Sequence, residues 1–384
     1  MKRIPTALSD PRNPQSLRQF IARQIHLAEG NGMKNIIWWI RRDFRLTDNE
    51  TLHQAIQQAE FVTPIFILDP RLTASSYVGE KRMSFLYAGL QHLSSDLLDI
   101  GGRLVIRKGD PPDVFEELRS QDGFDAIFAE ADFSPYAQAR DSRVQERFPI
   151  HFFGGPTFRH PMAVRKENGE PYSVYTPYRR AWKALQLPSE KEILPKPPRI
   201  RPSEDFDSLP LPSIPASPKK PDFLPGEAEA QRRLMKFANN DLAPIYGYDI
   251  QRDRMDLDGT SRLSPYLRFG MLSARQTLVA ASEALSRTAK EEERQSASTW
   301  LNEIIWREFF HSILFNFPHV RKMSFRENLR EIEWENNPAD FKAWCNGETG
   351  YPIVDAGMKQ LLETGWMHNR ARMVVASFLV KDLL

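Results

Sequence analysis

The sequence predicts an α/β domain followed by an all-α domain. Three observations carry that class. From Lys34 to about residue 160, short apolar runs alternate with helical stretches, the pattern of a parallel sheet covered on both faces. Between Pro188 and Pro225 prolines recur every few residues, which marks a long connection. Beyond Pro225 the apolar spacing is helical almost to the end, interrupted by one glycine- and aspartate-rich loop. The implied division is an N-terminal extension (1–33), an α/β domain (34–160), a connector (161–225) and a helical domain (226–384).

The elements follow in order. Residues 1–32 read as an extension of unknown use, with an amphipathic patch at Leu17, Phe20, Ile21 and Ile25. They lack the apolar core of a secretory signal, and Asp10 and Glu29 weaken a mitochondrial-type presequence. Met33 stands before the first strong strand and is a candidate start. NIIWWI is a buried-strand run, followed by the polar turn RRDFRLTDN. Phe61–Leu68 is a second strand. Phe85, Leu86, Leu90, Leu93 and Leu97 have helical spacing, stopped by Gly101 and Gly102. RLVIR, AIFAEAD and His151–Phe153 are further short strands. A parallel sheet takes ligands at the carboxyl ends of its strands, here near Arg41, Arg42, Asp43 and the Gly109–Asp110–Pro111 turn. The absence of GxGxxG and Walker sequences argues against a standard dinucleotide or P-loop site.

Bulk properties narrow the function classes. A net charge of +2 creates no global attraction to DNA or membrane, so nucleic-acid binding would need a local basic patch. The single Cys345 excludes an internal disulfide and a cysteine-rich metal site, and no metal is expected. No apolar run approaches the ~20 residues of a membrane span.

Three stretches of the helical half carry chemistry. Tyr175–Leu185, just before the proline-rich crossing, also reads as a helix. In Thr299–Phe310, TWLNEIIWREFF, helical spacing puts Trp300, Glu303, Arg307 and Phe310 on one face with Trp306 beside Glu303. Two indoles flanking a carboxylate and a guanidinium suit flat, hydrogen-bonding rings; a core helix with a Glu303–Arg307 i,i+4 pair fits the same spacing. In Tyr246–Gln276, Thr260, Ser261 and Ser264 offer hydroxyls, and a helix starting near Ser264–Pro265 would turn its positive end toward a diphosphate. In Gly350–Leu384, Asp355 reads as a helix cap and Gly365 as a helix end. A second helix then starts near Met367, with Asn369 and Met373 at i,i+4, Arg370 and Arg372 alongside, and Val374, Val375, Phe378 and Leu379 on its packed side.

Taken together, WWIRRDFRLTDN, DGTSRLSPYLRFG, WLNEIIWREFF, TGYPIVDAGMKQL and TGWMHNRARMVVASFLVKDLL resemble the DNA photolyase/cryptochrome family from about Lys34 to Leu384. The resemblance implies a Rossmann-like antenna domain and a helical domain holding FAD. It implies that Tyr248, Thr260, Ser261, Arg262, Leu263, Ser264, Trp300 and Arg372 bind FAD. Arg252, Glu303, Trp306, Arg307, Asn369, Arg370 and Met373 would face DNA or the lesion, and Trp334 would be the outermost tryptophan that photoreduces the flavin. Asn369 and Met373, where (6-4) photolyases carry histidine nearby, place the chain with class I enzymes that split cyclobutane pyrimidine dimers. The expected partner is dimer-containing DNA, bound by a cytoplasmic monomer with no membrane contact. Rival readings are a cryptochrome-like FAD photoreceptor and an inactive fragment.

Two departures accompany the resemblance. The family continues the helix that ends here at Leu384, so the chain reads as C-terminally truncated, without the flavin-contacting Asp-rich turn and Asn or the inner tryptophans. Lys108–Gly109–Asp110 and Val320 differ from folate-binding relatives, which leaves the antenna as methenyltetrahydrofolate, 8-hydroxy-5-deazaflavin or none.

Overall fold

The computed structural model describes residues 32–74, 78–121, 123–203, 206–215 and 223–383. The amphipathic patch at Leu17–Ile25 and the terminal Leu384 lie outside them.

Five parallel strands form one sheet in the order β3-β2-β1-β4-β5: β1 Met33–Ile40, β2 Ala59–Leu68, β3 Val105–Lys108, β4 Ala126–Glu130 and β5 Ile150–Phe153. Helices α1 (Glu50–Gln58), α2 (Glu80–Leu98), α3 (Pro111–Gln121) and α4 (Pro135–Gln145) connect them. β1 is central, which explains its unbroken apolar run: Ile36, Trp38 and Ile40 enter one core, and Ile37 and Trp39 the other. Each such side chain contributes about 2 kcal/mol through burial. The chain order reverses between β1 and β4, so the crevice beyond these strands is the switch point, flanked by Arg41–Asp43 and Asp132.

The core on the first face does not stop at the α/β half. It continues through Tyr178, Trp182, Tyr248, Leu278, Trp300 and Ile304. These belong to α5 (Tyr175–Lys183), the single turn Tyr248–Gln251, α8 (Ala274–Arg287) and α9 (Glu291–Asn316). Also in the helical half are α6 (Glu227–Ala238), α7 (Ser264–Phe269), α10 (Pro338–Asn346), α11 (Pro352–Thr364) and α12 (Asn369–Lys381). Val354, Met358, Met367, Ala371 and Val375 make a satellite core between α11 and α12.

The proline-rich stretch is extended but tied down. Ile200 N–H donates to Ile100 O, Val62 N–H to Arg201 O and Leu209 N–H to Ile106 O. Ile200 and Phe206 each plug into one of the two cores. Prolines suit this path because an extended chain bonded on one side only needs few of its own donors.

One glycine sets the distance between the halves. Gly270 ends α7 in the left-handed region at φ 66°, and a Cβ there would lie 1.6 Å from Arg42 O. Around it, Phe44 N–H donates to Phe269 O and Arg45 Nη1 to Gly270 O. Only glycine admits both that dihedral and that approach.

Local expectations meet two differences. Asp355 lies inside the first turn of α11 and accepts from Thr349 N–H, Thr349 Oγ1 and Gly350 N–H, so it closes the preceding turn while Tyr351 takes the cap position. The last helix starts at Asn369, capped by His368 Nδ1, because that ring accepts the Arg370 amide. Gly365 ends α11 as expected, at φ 74°.

Candidate functional site

The site grows from α9. Its 26 residues contain no glycine or proline, and Glu291, Glu292 and Glu293 fill its first turn, where the helix dipole favours negative charge. Leu301, Ile305 and Phe309 are buried in the main core. Trp300, Glu303, Ile304, Arg307 and His311 line a cavity of about 440 Å³. Tyr248, Ser261, Leu263, Ser264, Leu267 and Arg268 form a second wall, Thr277 comes from α8, and Arg42 reaches in from the α/β half.

The cavity has an apolar part and a cationic part. Trp300 and Tyr248 are buried and both pack on Phe237. Leu263 holds the cap position of α7 without a side-chain cap bond, and Ser264 and Pro265 begin the helix. Arg262 has a φ of 49° and lies over the rings of Phe223 and Trp366, which bends the chain into the cavity wall. At the cationic end, Arg42 donates to Arg268 O and reaches Asp132 at 3.4 Å. Burial and the neighbouring Arg42 push both Arg268 and Arg307 down to about 10. Arg268 still touches cavity solvent, although protein surrounds it closely. Burial and the same arginines push His311 down to about 3, so its ring is neutral. Cations gathered with so little carboxylate constitute an anion site.

The expected residues fall into three groups. Tyr248, Ser261, Leu263, Ser264 and Trp300 line the cavity; Thr260 and Arg262 belong to the same loop without lining it. Glu303 sits in the cavity wall and pairs with Arg252 at 2.5 Å, not with Arg307. Arg307 instead donates to the carbonyls of Pro156 and Leu267. The i,i+4 pairing fails because a tertiary partner and two orphan carbonyls satisfy these groups better. Burial raises the Glu303 carboxyl against the pull of Arg252. Trp306 is half-buried, with Tyr175 and Phe310 nearly parallel to it.

The last group lies on or beyond α12. Asn369 and Met373 are exposed on α12, and Arg370 binds Asp253 at 2.5 Å. Asp253 adjoins Arg252, so charges run from Glu303 through Arg252 and Asp253 to Arg370. Arg372 is exposed and donates to Met367 O, away from the cavity wall. Trp334 is 43% exposed, and among the described residues no ring packs on it.

Sequence reasoning did not find Arg42, Arg268, Thr277 and His311 as cavity residues. Arg268 lies four residues after Ser264, and His311 four after Arg307, so helical spacing could have found both. Arg42 had no such signal, because only the packing of the two halves brings it there.

Residues 36–199 match the DNA photolyase family profile, and residues 300–384 match the FAD binding domain of DNA photolyase. The chain is 36% identical over 371 residues to the deoxyribodipyrimidine photo-lyase of a Synechococcus species, covering 91% of this chain and 74% of that protein. The chain belongs to the DNA photolyase family. Among solved structures, a bacterial class III photolyase from Agrobacterium tumefaciens superposes with a TM-score of 0.82 at 32% identity, covering 93% of this chain and 74% of that photolyase. A Synechocystis cryptochrome shares the fold, with a TM-score of 0.81 at 24% identity over 92% and 76%. The antenna-like α/β half and the helical FAD-binding half expected from the sequence are both present. Among the described residues no helix is long and apolar enough to cross a membrane, and no cluster of acidic, histidine or cysteine side chains could hold a metal ion.

Proposed function

We propose that this photolyase splits cyclobutane pyrimidine dimers in DNA, using light and bound FAD. The observation that carries the reading is one continuous surface. Glu303, in the wall of an anion-binding cavity, is tied through Arg252 and Asp253 to the helix that exposes Asn369 and Met373.

The residues fit the cofactor. Trp300 and Tyr248 supply flat apolar walls, Ser261 and Ser264 supply hydroxyls, and Arg42, Arg268 and Arg307 suit a diphosphate. The chemistry FAD supplies when bound is delivery of one electron and its recovery. The protein's own groups then bind, orient and stabilise. A flipped-out dimer would rest beside Trp306, with its polar edges toward Glu303 and Asn369. A carboxyl raised by burial is protonated more often and can donate to a pyrimidine carbonyl that gains charge. Arg252 and Arg370 would meet phosphates by exchanging Asp253 and Glu303 for DNA. Arg307, held by two carbonyls, would act on DNA by fixing the cavity wall. Trp334, exposed beside the helical half, suits an electron donor at the surface. A flavin photoreceptor would need the cavity but not the Asn369–Met373 face.

The test is titration of dimer-containing against undamaged duplex at fixed salt, followed by light-dependent loss of dimer. Trp306→Ala should weaken the damaged complex by about 1–3 kcal/mol, the range for one base–aromatic stack. Equal affinity of the folded wild type for both duplexes would defeat the proposal.

A further inference from the structure

We propose that Tyr175, at the start of α5 in the connecting segment, is the positioning residue for the Trp306 indole and thereby for lesion recognition. The inference rests on the lesion-binding reading above and extends the site to α5, which contributes no residue to the cavity wall.

The geometry is specific. The Tyr175 and Trp306 rings lie 3.4 Å apart between centroids and 9° from parallel. Aromatic pairs prefer offset or edge-on arrangements to such direct overlap, and most pairs in this molecule are edge-on or tilted. Something must therefore hold the two rings face to face. Tyr175 Oη donates to Asn302 O at 2.7 Å. In an α-helix that carbonyl also receives the amide of residue 306, so Tyr175 grips both the ring and the backbone turn of the same tryptophan. The Arg179 guanidinium lies 5.8 Å from the Tyr175 ring, one turn further along α5.

The rest of α5 supplies the rigid base. Tyr178 packs on Phe309 at 5.2 Å, and Trp182 Nε1 donates to Glu308 Oε2 at 2.6 Å. Glu308 also accepts from Phe158 N–H, which joins the end of the α/β domain to the same helix. Tyr178 and Trp182 pack α5 on α9 through contacts that do not involve Tyr175. Tyr175 adds a flat contact at the one place where the partner indole is only half-buried, beside Phe310, which is 60% exposed. A ring clamped on one side loses little freedom when a base meets it, so the cost of ordering is met on folding.

Two readouts test this in the full chain. With 5-fluorotryptophan incorporated and the Trp306 signal identified by its loss in Trp306→Phe, Tyr175→Leu should move that fluorine resonance toward the solvent-exposed position. Tyr175→Phe, which keeps the ring, should leave it near the wild-type position. An unmoved resonance in the leucine variant overturns the inference, whatever the DNA results. In binding, Tyr175→Leu should lower the preference for dimer-containing over undamaged duplex about tenfold, with undamaged affinity and bound-flavin absorbance unchanged, and Tyr175→Phe should retain it within about twofold. In a Trp306→Leu background, Tyr175→Leu should cost nothing further. An equal loss in both backgrounds would show that Tyr175 does not act through Trp306. If leucine prevents folding, Tyr175→Met serves in the same comparisons. A wild type without dimer preference would remove the proposed function, while the fluorine result would still decide whether Tyr175 holds the indole.

Discussion

The molecule contains two arginine clusters, one at the sheet edge and one in the helical cavity, and they are built on opposite principles. At the carboxyl edge of the sheet every cation has a carboxylate: Arg41 with Asp141 at 2.6 Å, Arg45 with Glu130 at 2.8 Å. In the helical cavity Arg268 and Arg307 crowd Arg42 and His311 with little to neutralise them. The first cluster completes its own charge balance and joins the halves. The second leaves charge unbalanced, which costs stability and creates affinity for an anion. The presence or absence of a carboxylate partner distinguishes them.

The comparison is broken most strongly at Arg45. Arg45→Ala should destabilise the fold by about 3–5 kcal/mol in chemical denaturation, because it strands a buried Glu130. Arg268→Met should change stability by less than about 1 kcal/mol, or raise it, since it removes an unbalanced cation. The same variant should lower flavin affinity about tenfold, as expected for one charged hydrogen bond. Similar destabilisation by both variants would erase the distinction.

Next in size are the pH effects. The folded-state His311 titrates at about 3, below its ordinary 6.5, so the unfolded chain binds more protons between those values. Stability from this group is complete above pH 6.5 and is lost as pH falls toward 3. His160, pushed down to about 4 by burial, acts in the same direction. Denaturation midpoints should fall across that window, less steeply in His311→Gln. Glu303 behaves oppositely: its carboxyl is raised from 4.5, so the donating form grows as pH falls. Dimer preference should strengthen on acidification toward that raised value, and Glu303→Gln, a permanent donor, should flatten the profile.

The smallest expected effect lies at the surface. Arg370→Ala should alter stability by less than about 0.5 kcal/mol, its pair with Asp253 being solvent-exposed. It should weaken damaged and undamaged DNA alike and lower the salt slope by about one. An unchanged slope would place Arg370 in structure and not on a phosphate.

Much was legible in the residues themselves. The run NIIWWI announces a central strand because a strand covered on both faces has no polar positions. The Ser264–Pro265 helix start and the Gly365 helix end follow from local backbone preferences. Partner choice was not legible. Glu303 and Arg307 sit at ideal spacing for each other, yet one takes Arg252 and the other takes two carbonyls from distant loops.

By itself the sequence determined the two-part architecture and the order of helices and strands, because these depend on periodicity, turn chemistry and motif order along the chain. The tertiary structure alone decided that Arg42 reaches the cavity from the other half, that Gly270 permits that approach, and that Tyr175 lies against Trp306. Those contacts join residues more than 100 positions apart, and no local pattern encodes them. Their cause is close packing: the shared core over Trp38, Trp182 and Trp300 brings these distant segments against one another.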